Sequence, residues 1–265
     1  MMTCAVATLF SAVLIAQAQQ PSQSSVVKDG GSIEDRLAKV EDRLSAITTI
    51  LQGLSDSTSR TEANPQLVGS KLSLSDAPTR GAEAALVSVV EVADYHCPFC
   101  RRTARDVLPR LLQEYVASGK VRYTFVDYPL EQLHPDSLKS HHAASCAGSL
   151  GKYWEMHDQL FANAPAHGDR ELSAAAAAIG LDSDAFRKCM SSPEYDQRFE
   201  AAVAGVRALG IAGTPTLLIG MSPRDGAPFV VRRYITGAQP FAVIKLAIEV
   251  SLLEATSSST ESTHR

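Results

Sequence analysis

The stretch from Leu86 to Val116 constrains this chain more than any other. LVSVVEV, residues 86 to 92, is a nearly continuous β-branched run of the kind that builds a buried strand. Cys97-Pro98-Phe99-Cys100 follows almost at once, and a long amphipathic pattern, CRRTARDVLPRLLQEYV, starts at its last cysteine. Strand, tight turn and helix are therefore expected in that order. Pro98 suits the first helical position, which places Cys97 at the helix N-terminus, where free N–H groups and the positive dipole end favour a thiolate. Each pH unit by which the thiolate is favoured amounts to about 1.36 kcal/mol. Cys100 comes one turn later on the same side, close enough to close a small disulfide ring and less exposed, as suits a resolving thiol.

A CxxC pair can also be half of a zinc site or an inert bridge. Zinc in a closed structural site needs four ligands, and no second CxxC or well-spaced His pair exists, so no metal is expected here. Arg101 and Arg102 oppose the dipole of the helix they start, which makes sense beside an anion; solvated arginines on an outer face are the alternative. His96 could add positive charge next to Cys97, or be a plain loop histidine. Glu91 is the odd polar residue in an apolar strand. Buried, its carboxylate would have a raised pKa and could accept the Cys100 proton; at a sheet margin it would simply reach water.

The remaining cysteines bear on the compartment. Residues 5 to 16 (AVATLFSAVLIA) form an apolar run before Ala16-Gln17-Ala18, a small-x-small pattern that fits a signal peptide over residues 1–18. Cys4 would leave with it, and Cys97, Cys100, Cys146 and Cys189 would remain, an even set suited to an oxidising periplasmic or secreted setting. A structural disulfide between Cys146 and Cys189, worth about 2 to 4 kcal/mol, is the preferred reading of that pair, with two free buried thiols as the alternative. His142 and Cys146 lie four apart on one helix face, yet offer only two ligands to a metal. Of the 265 residues 45% are apolar and 20% charged, enough for a good-sized core. A net charge of −4 with no Lys/Arg block argues against nucleic-acid binding.

Residues 33 to 54 place Ile33, Leu37, Val40, Leu44, Ile47, Leu51 and Leu54 at 4-3 spacing, after a capping box at Ser32 and Asp35. This predicts a coiled-coil helix over 32–54. Leucine at a (37, 44, 51) with Ile, Val, Ile and Leu at d shifts preference from dimers to a homotrimer or homotetramer. Arg36 at g and Glu41 at e would pair between parallel chains; a helix folded back on its own domain is the alternative. Residues 55–81, rich in Ser, Thr, Asn, Pro and Gly, read as a linker, and residues 254–265 as a disordered tail. Between about 137 and 210, breaks at Gly151, around Pro165 and Gly168, at Gly180 and at Ser192-Pro193 leave five short helices. Tyr153, Trp154, His157, Leu160 and Phe161 form a stripe best read as core packing. Phe229 to Thr236 reads as a strand and Phe241 to Leu253 as a closing helix.

EVADYHCPFC, then VLPRLLQEYVASGKVRYTFVDYPLEQLHP, CAGSLGKYWEMHDQLFAN and GIAGTPTLLIG resemble, in order, the DsbA-like branch of the thioredoxin superfamily over roughly residues 76 to 253. The resemblance implies an α/β thioredoxin fold with a helical insertion, spanning 82–253. It implies Cys97 as the attacking cysteine, Cys100 as the resolving one and Glu91 as the buried acid. It also implies that Thr214-Pro215 is a cis-proline loop facing the active site; an ordinary trans turn is the alternative. Leading into TLLIG, that loop could pair with an extended substrate peptide, beside Pro98 and Phe99. The strongly oxidising members carry His between the cysteines, whereas Phe99 can donate no hydrogen bond to the thiolate, so weaker oxidising power is expected. Thr before the proline is similar to what disulfide isomerases carry.

The function expected is an exported thiol-disulfide oxidoreductase, oligomeric and isomerase-like, whose only redox group is the Cys97–Cys100 pair, with no other cofactor. Its partners would be unfolded or misoxidised exported proteins and a membrane thiol-redox partner. A dithiol oxidase is the runner-up. A surface protein that clamps copper with the CxxC is the reading from another class.

Overall fold

In the computed structural model, residues 66–262 are described except 165, 166, 193 and 225, together with Glu34, Leu37, Ala38, Val40 and Glu41; side chains of 194–198 and 258–262 are not. The chain divides into two units, Met1–Gly53 and Leu54–Arg265. In the first, the five described residues are helical and exposed. The expected signal peptide, the rest of the expected coiled-coil helix and the oligomerisation expected of it lie outside the described residues.

The second unit is built on a sheet of β2 (Thr79–Arg80), β3 (Val87–Ala93), β4 (Val121–Asp127), β5 (Thr216–Met221) and β7 (Arg233–Thr236), in the order β2-β4-β3-β5-β7. β3 and β4 run parallel with Val87 opposite Val121; the other pairs are antiparallel. Every residue of β3 is buried, because helices or loops cover both sheet faces and successive side chains feed two different cores. Val87, Val89 and Ala93 join Tyr123, Phe125, Leu217 and Ile219 in the first core; Val90 and Val92 join Leu67, Leu218, Phe229 and Val231 in the second. β1 (Lys71–Leu72) pairs with β6 (Phe229–Val230) beside the main sheet. Gly220 is required there: a Cβ would lie 2.3 Å from the Val230 carbonyl oxygen.

The long helix expected after the CxxC is interrupted. α1 (Pro98–Asp106) gives way to α2 (Leu108–Leu111) around Pro109, which lacks an N–H and crowds the preceding turn, and a π-helical turn follows over Leu112–Val116. Ala117 N–H accordingly donates to Leu112 O at 2.8 Å, five residues back. The insertion holds five helices, α3 (Ser137–Ser149), α4 (Tyr153–Asn163), α5 (Asp169–Ala178), α6 (Ser183–Met190) and α7 (Glu194–Ala208), broken where Gly and Pro break the sequence pattern. Leu160 and Phe161 of the aromatic-apolar stripe are buried in the first core, with Tyr153 and Trp154 packed against it, and His157 is buried as well.

Three boundaries differ from the sequence reading. The second half of the supposed linker belongs to the fold: Leu67 is buried and β1 and β2 lie within residues 55–81. Strands of two residues are too short to show a period. The supposed tail continues the closing helix α8 (Phe241–Ser262), and Ala255 packs into the first core. Ser and Thr there bond back to their own helix, as Thr256 and Ser257 both do to Leu253 O at 2.9 Å, so a disorder-like composition stays helical. The strand expected over 229–236 is split into β6 and β7.

Candidate active site

Cys97 caps α1 with an extended backbone (φ −70°, ψ 120°) and Pro98 begins the helix. No side chain caps this end and its first turn holds no acid, so the free N–H groups are left for the sulfur. The Cys97 thiol is brought down from 9.0 to about 6. A hydrogen bond from Cys100 is the main cause. Burial opposes it, and Thr214 and the N–H groups of Cys100 and Phe99 add to it. Gly213-Thr214-Pro215, with a cis Thr214–Pro215 bond, faces the sulfur. Cys97 Sγ–H donates to Thr214 O at 3.3 Å. On ionisation that donation is lost, and the buried Thr214 hydroxyl, which has no other partner, is the donor beside the sulfur.

Cys100 is fully buried, and burial, the neighbouring Cys97 sulfur and Glu91 push its thiol well above the ordinary range. Glu91 sits mid-strand in β3 with Phe125 and Leu217 on either side in register. It is 1% exposed, which removes the sheet-margin reading. Burial raises its carboxyl from 4.5 to about 7; a hydrogen bond from Tyr123 holds it down in part, and the Cys97 charge raises it. Tyr123 O–H donates to Glu91 Oε2 at 2.6 Å, while Oε1 has no partner.

Pro98 and Phe99 are exposed beside the pair. The two arginines face other groups: Arg101 donates to the Ala164 carbonyl, and the Arg102 guanidinium lies 5.5 Å from the Phe99 ring centre. Cys146 and Cys189 are joined by a disulfide between α3 and α6. Cys146 is thus unavailable as a partner ligand for His142, which stacks on Phe199 at 5.1 Å. Among the described residues no group of three or more His, Cys, Asp or Glu could hold a metal ion, so a copper clamp would have only the two sulfurs.

Residues 74–228, more than half of the chain, match the family model described as Thioredoxin. The chain belongs to the thioredoxin family. Its fold is DsbA-like. The crystal structure of α-DsbA1 from Wolbachia pipientis superposes with a TM-score of 0.61 at 21% identity, covering 71% of this chain and 96% of that one. Among curated relatives, the Na⁺/H⁺ antiporter NhaA 1 of Salinispora arenicola is 33% identical over 148 residues, 56% of this chain. The chain spans only 22% of that relative's length. A probable disulfide bond formation protein D from Bacillus cereus is 34% identical over 83 residues, 31% of this chain and 38% of that protein.

Around this thioredoxin-family site, Asp94 is a member that no sequence pattern marks. Its buried carboxylate accepts from His96 N–H at 2.8 Å, Leu130 N–H at 2.9 Å and Ser137 O–H, and faces His134 Nδ1 at 2.9 Å. Burial alone would raise this acid. The donors, with His141, outweigh it and hold Asp94 well below the usual carboxylate range. The Asp94 carbonyl also accepts Cys97 N–H at 3.1 Å. One residue therefore ties the catalytic turn to the insertion. His96 does not serve Cys97. His167 Nε2–H donates to Leu160 O at 2.8 Å, so His167 Nδ1 accepts from Ser140 O–H at 2.8 Å, and Ser140 Oγ accepts from His96 Nε2–H at 3.0 Å. Burial lowers the His96 pKa, which keeps the ring neutral.

Proposed function

We propose that the chain is an exported thiol-disulfide oxidoreductase acting on protein disulfides through Cys97 and Cys100, working as an oligomeric isomerase or reductase. The observation that carries this is the contrast between the sulfurs: Cys97 ionises near 6 at a helix N-terminus, and Cys100 is buried with its thiol pushed up. The Cys97 thiolate attacks a client disulfide, joining one client sulfur and releasing the other as a thiolate. A client thiolate then attacks the mixed disulfide and the client leaves reshuffled. Alternatively Cys100, giving its proton to Glu91, attacks Cys97, and the client leaves reduced while the pair is oxidised.

Exposed Ala212 and Gly213 ahead of Pro215, with exposed Phe99, offer an extended client backbone and an apolar contact. Phe99, whose side chain lends no hydrogen bond to the thiolate, and Thr214 favour the isomerase side. The low Cys97 pKa favours the second reading, a DsbA-type oxidase that stays oxidised and donates its disulfide through a membrane thiol-redox partner. The Cys146–Cys189 bridge suits an oxidising periplasmic or extracellular compartment. Among the described residues no helix is long and apolar enough to cross a membrane.

Deleting residues 32–54 separates the readings. Recovery of scrambled ribonuclease is expected to fall while oxidation of a dithiol peptide survives; no change in either removes the oligomeric isomerase.

A further inference from the structure

Glu91 has two oxygens in unlike surroundings. Oε2 receives the Tyr123 O–H at 2.6 Å, and Oε1 is buried with no partner. Parallel pairing sets Val89 opposite Tyr123 and Glu91 opposite Phe125, so Tyr123 reaches Glu91 along the same sheet face rather than directly across. Both side chains are buried, and the Tyr123 ring lies 5.8 Å from Trp154. The Arg80 guanidinium lies over the Trp154 ring, 4.4 Å from its centre. From α1, Glu91 faces Cys97 and Cys100; from the loop between β3 and α1, Tyr95; from β4, Tyr123, which in turn faces Arg80 on β2. The residues opposite it on β4 and β5 are the apolar Phe125 and Leu217.

On the reading of Glu91 as the base for Cys100, we propose that Tyr123 is a positioning residue for that proton transfer, occupying Oε2 so that Oε1 takes the Cys100 proton. A proton on Oε2 would weaken the bond that oxygen already accepts, whereas a proton on Oε1 leaves it whole. The step balances within the site. Cys100 S–H and the Glu91 carboxylate become a Cys100 thiolate and a carboxylic acid; the thiolate then forms the bond to Cys97 Sγ and the client sulfur leaves with the electron pair. Tyr123 donates more strongly to the carboxylate than to the acid, so it also sets the pH at which the base is ready. Burial and Glu91 push its own hydroxyl well above the ordinary range, so it stays a donor throughout.

Stopped-flow reaction of the reduced full chain with a chromogenic aromatic disulfide tests this, since each chain releases two coloured thiolates. The first reports attack by Cys97 and the second reports its displacement by Cys100. In Tyr123→Phe the acid limb of the second phase is expected to move up by about one to two pH units, with the first phase unmoved. If that limb stays in place while Glu91→Gln flattens it, Glu91 is the base and the assignment to Tyr123 is wrong. If Glu91→Gln also leaves it in place, the base reading and this inference fall together. Should Tyr123→Phe not fold, the infrared carbonyl band of protonated Glu91 in the unmodified protein decides, assigned by difference from Glu91→Gln. A hydrogen-bonded frequency is expected, because Oε2 is then the carbonyl that accepts from Tyr123. A free-carbonyl frequency overturns the inference.

Discussion

Replacing Glu91 by Gln should shift relative stability progressively toward the variant as pH rises. The carboxyl group titrates near 7 in the folded chain against 4.5 for the free side chain, chiefly because burial disfavours its charge. Below the unfolded value both states are protonated and the site exacts no penalty. As pH rises toward the folded value the unfolded chain ionises and the folded chain resists, so native stability falls across this window and the full penalty is reached above it. The gap of about 2.5 pH units, at about 1.36 kcal/mol each, makes a loss of about 3 kcal/mol. Glutamine carries no such loss, although its amide nitrogen at the unpartnered Oε1 position costs about 1 to 3 kcal/mol at every pH. The change with pH, rather than the stability at one pH, is therefore diagnostic. Urea unfolding at pH 4 and pH 8, with the Cys97–Cys100 dithiol reduced and Cys146–Cys189 intact, measures it. Cys97 ionises in the same range in both proteins and largely cancels. The midpoint gap between variant and parent should open by about 1 to 2 M in favour of the variant. A gap that stays constant between the two pH values refutes the account of a buried, reluctantly ionised Glu91.

Thr214→Val should raise the pH at which Cys97 alkylation is half-maximal, from about 6 by about one unit; an unmoved profile removes the hydroxyl from the thiolate's support. Replacing both Cys146 and Cys189 by Ala should lower stability by about 2 to 4 kcal/mol, given a sequence separation of 43 residues. Thermal unfolding reads this as a drop of about 5 to 15 °C, and exchange at Cys97 should persist below that temperature. Loss of exchange in a variant that remains folded would mean the bridge does more than staple the insertion.

Much of the site was readable because its parts are contiguous. Strand, CxxC and helix follow one another between Val87 and Asp106, and Glu91 stands out as a charge within an apolar run. The five insertion helices are legible for a similar reason, since Gly and Pro end them locally. Asp94 is different: its partners Leu130 and Ser137 lie 36 and 43 residues downstream. A single acid before a turn looks like any loop residue until the chain returns to it. Tyr123 is hidden by the opposite circumstance, because a tyrosine inside a strand pattern reads as packing and its hydroxyl partner lies on a neighbouring strand. β1 and β2 and the end of α8 escaped notice because backbone pairing in two-residue strands and serine back-bonding leave no hydrophobic period to read.

The titration of Glu91 also bears on how a mixed disulfide is shared between its two exits. One exit uses Cys100 and needs Glu91 ionised; the other uses a client thiol, which titrates near about 8.5 when unperturbed. Below about pH 7 both exits gain roughly tenfold per pH unit, so their ratio changes little. Above pH 7 the Glu91-dependent exit saturates, because that carboxylate is already ionised, while the client thiol goes on ionising. Reshuffled product should therefore gain on reduced product between about pH 7 and 8.5, by roughly tenfold over that range. Trapping a model client at intervals with acid and counting its disulfides measures the ratio. A ratio that is flat across this range, or that falls, would show that a group other than Glu91 governs the Cys100 exit.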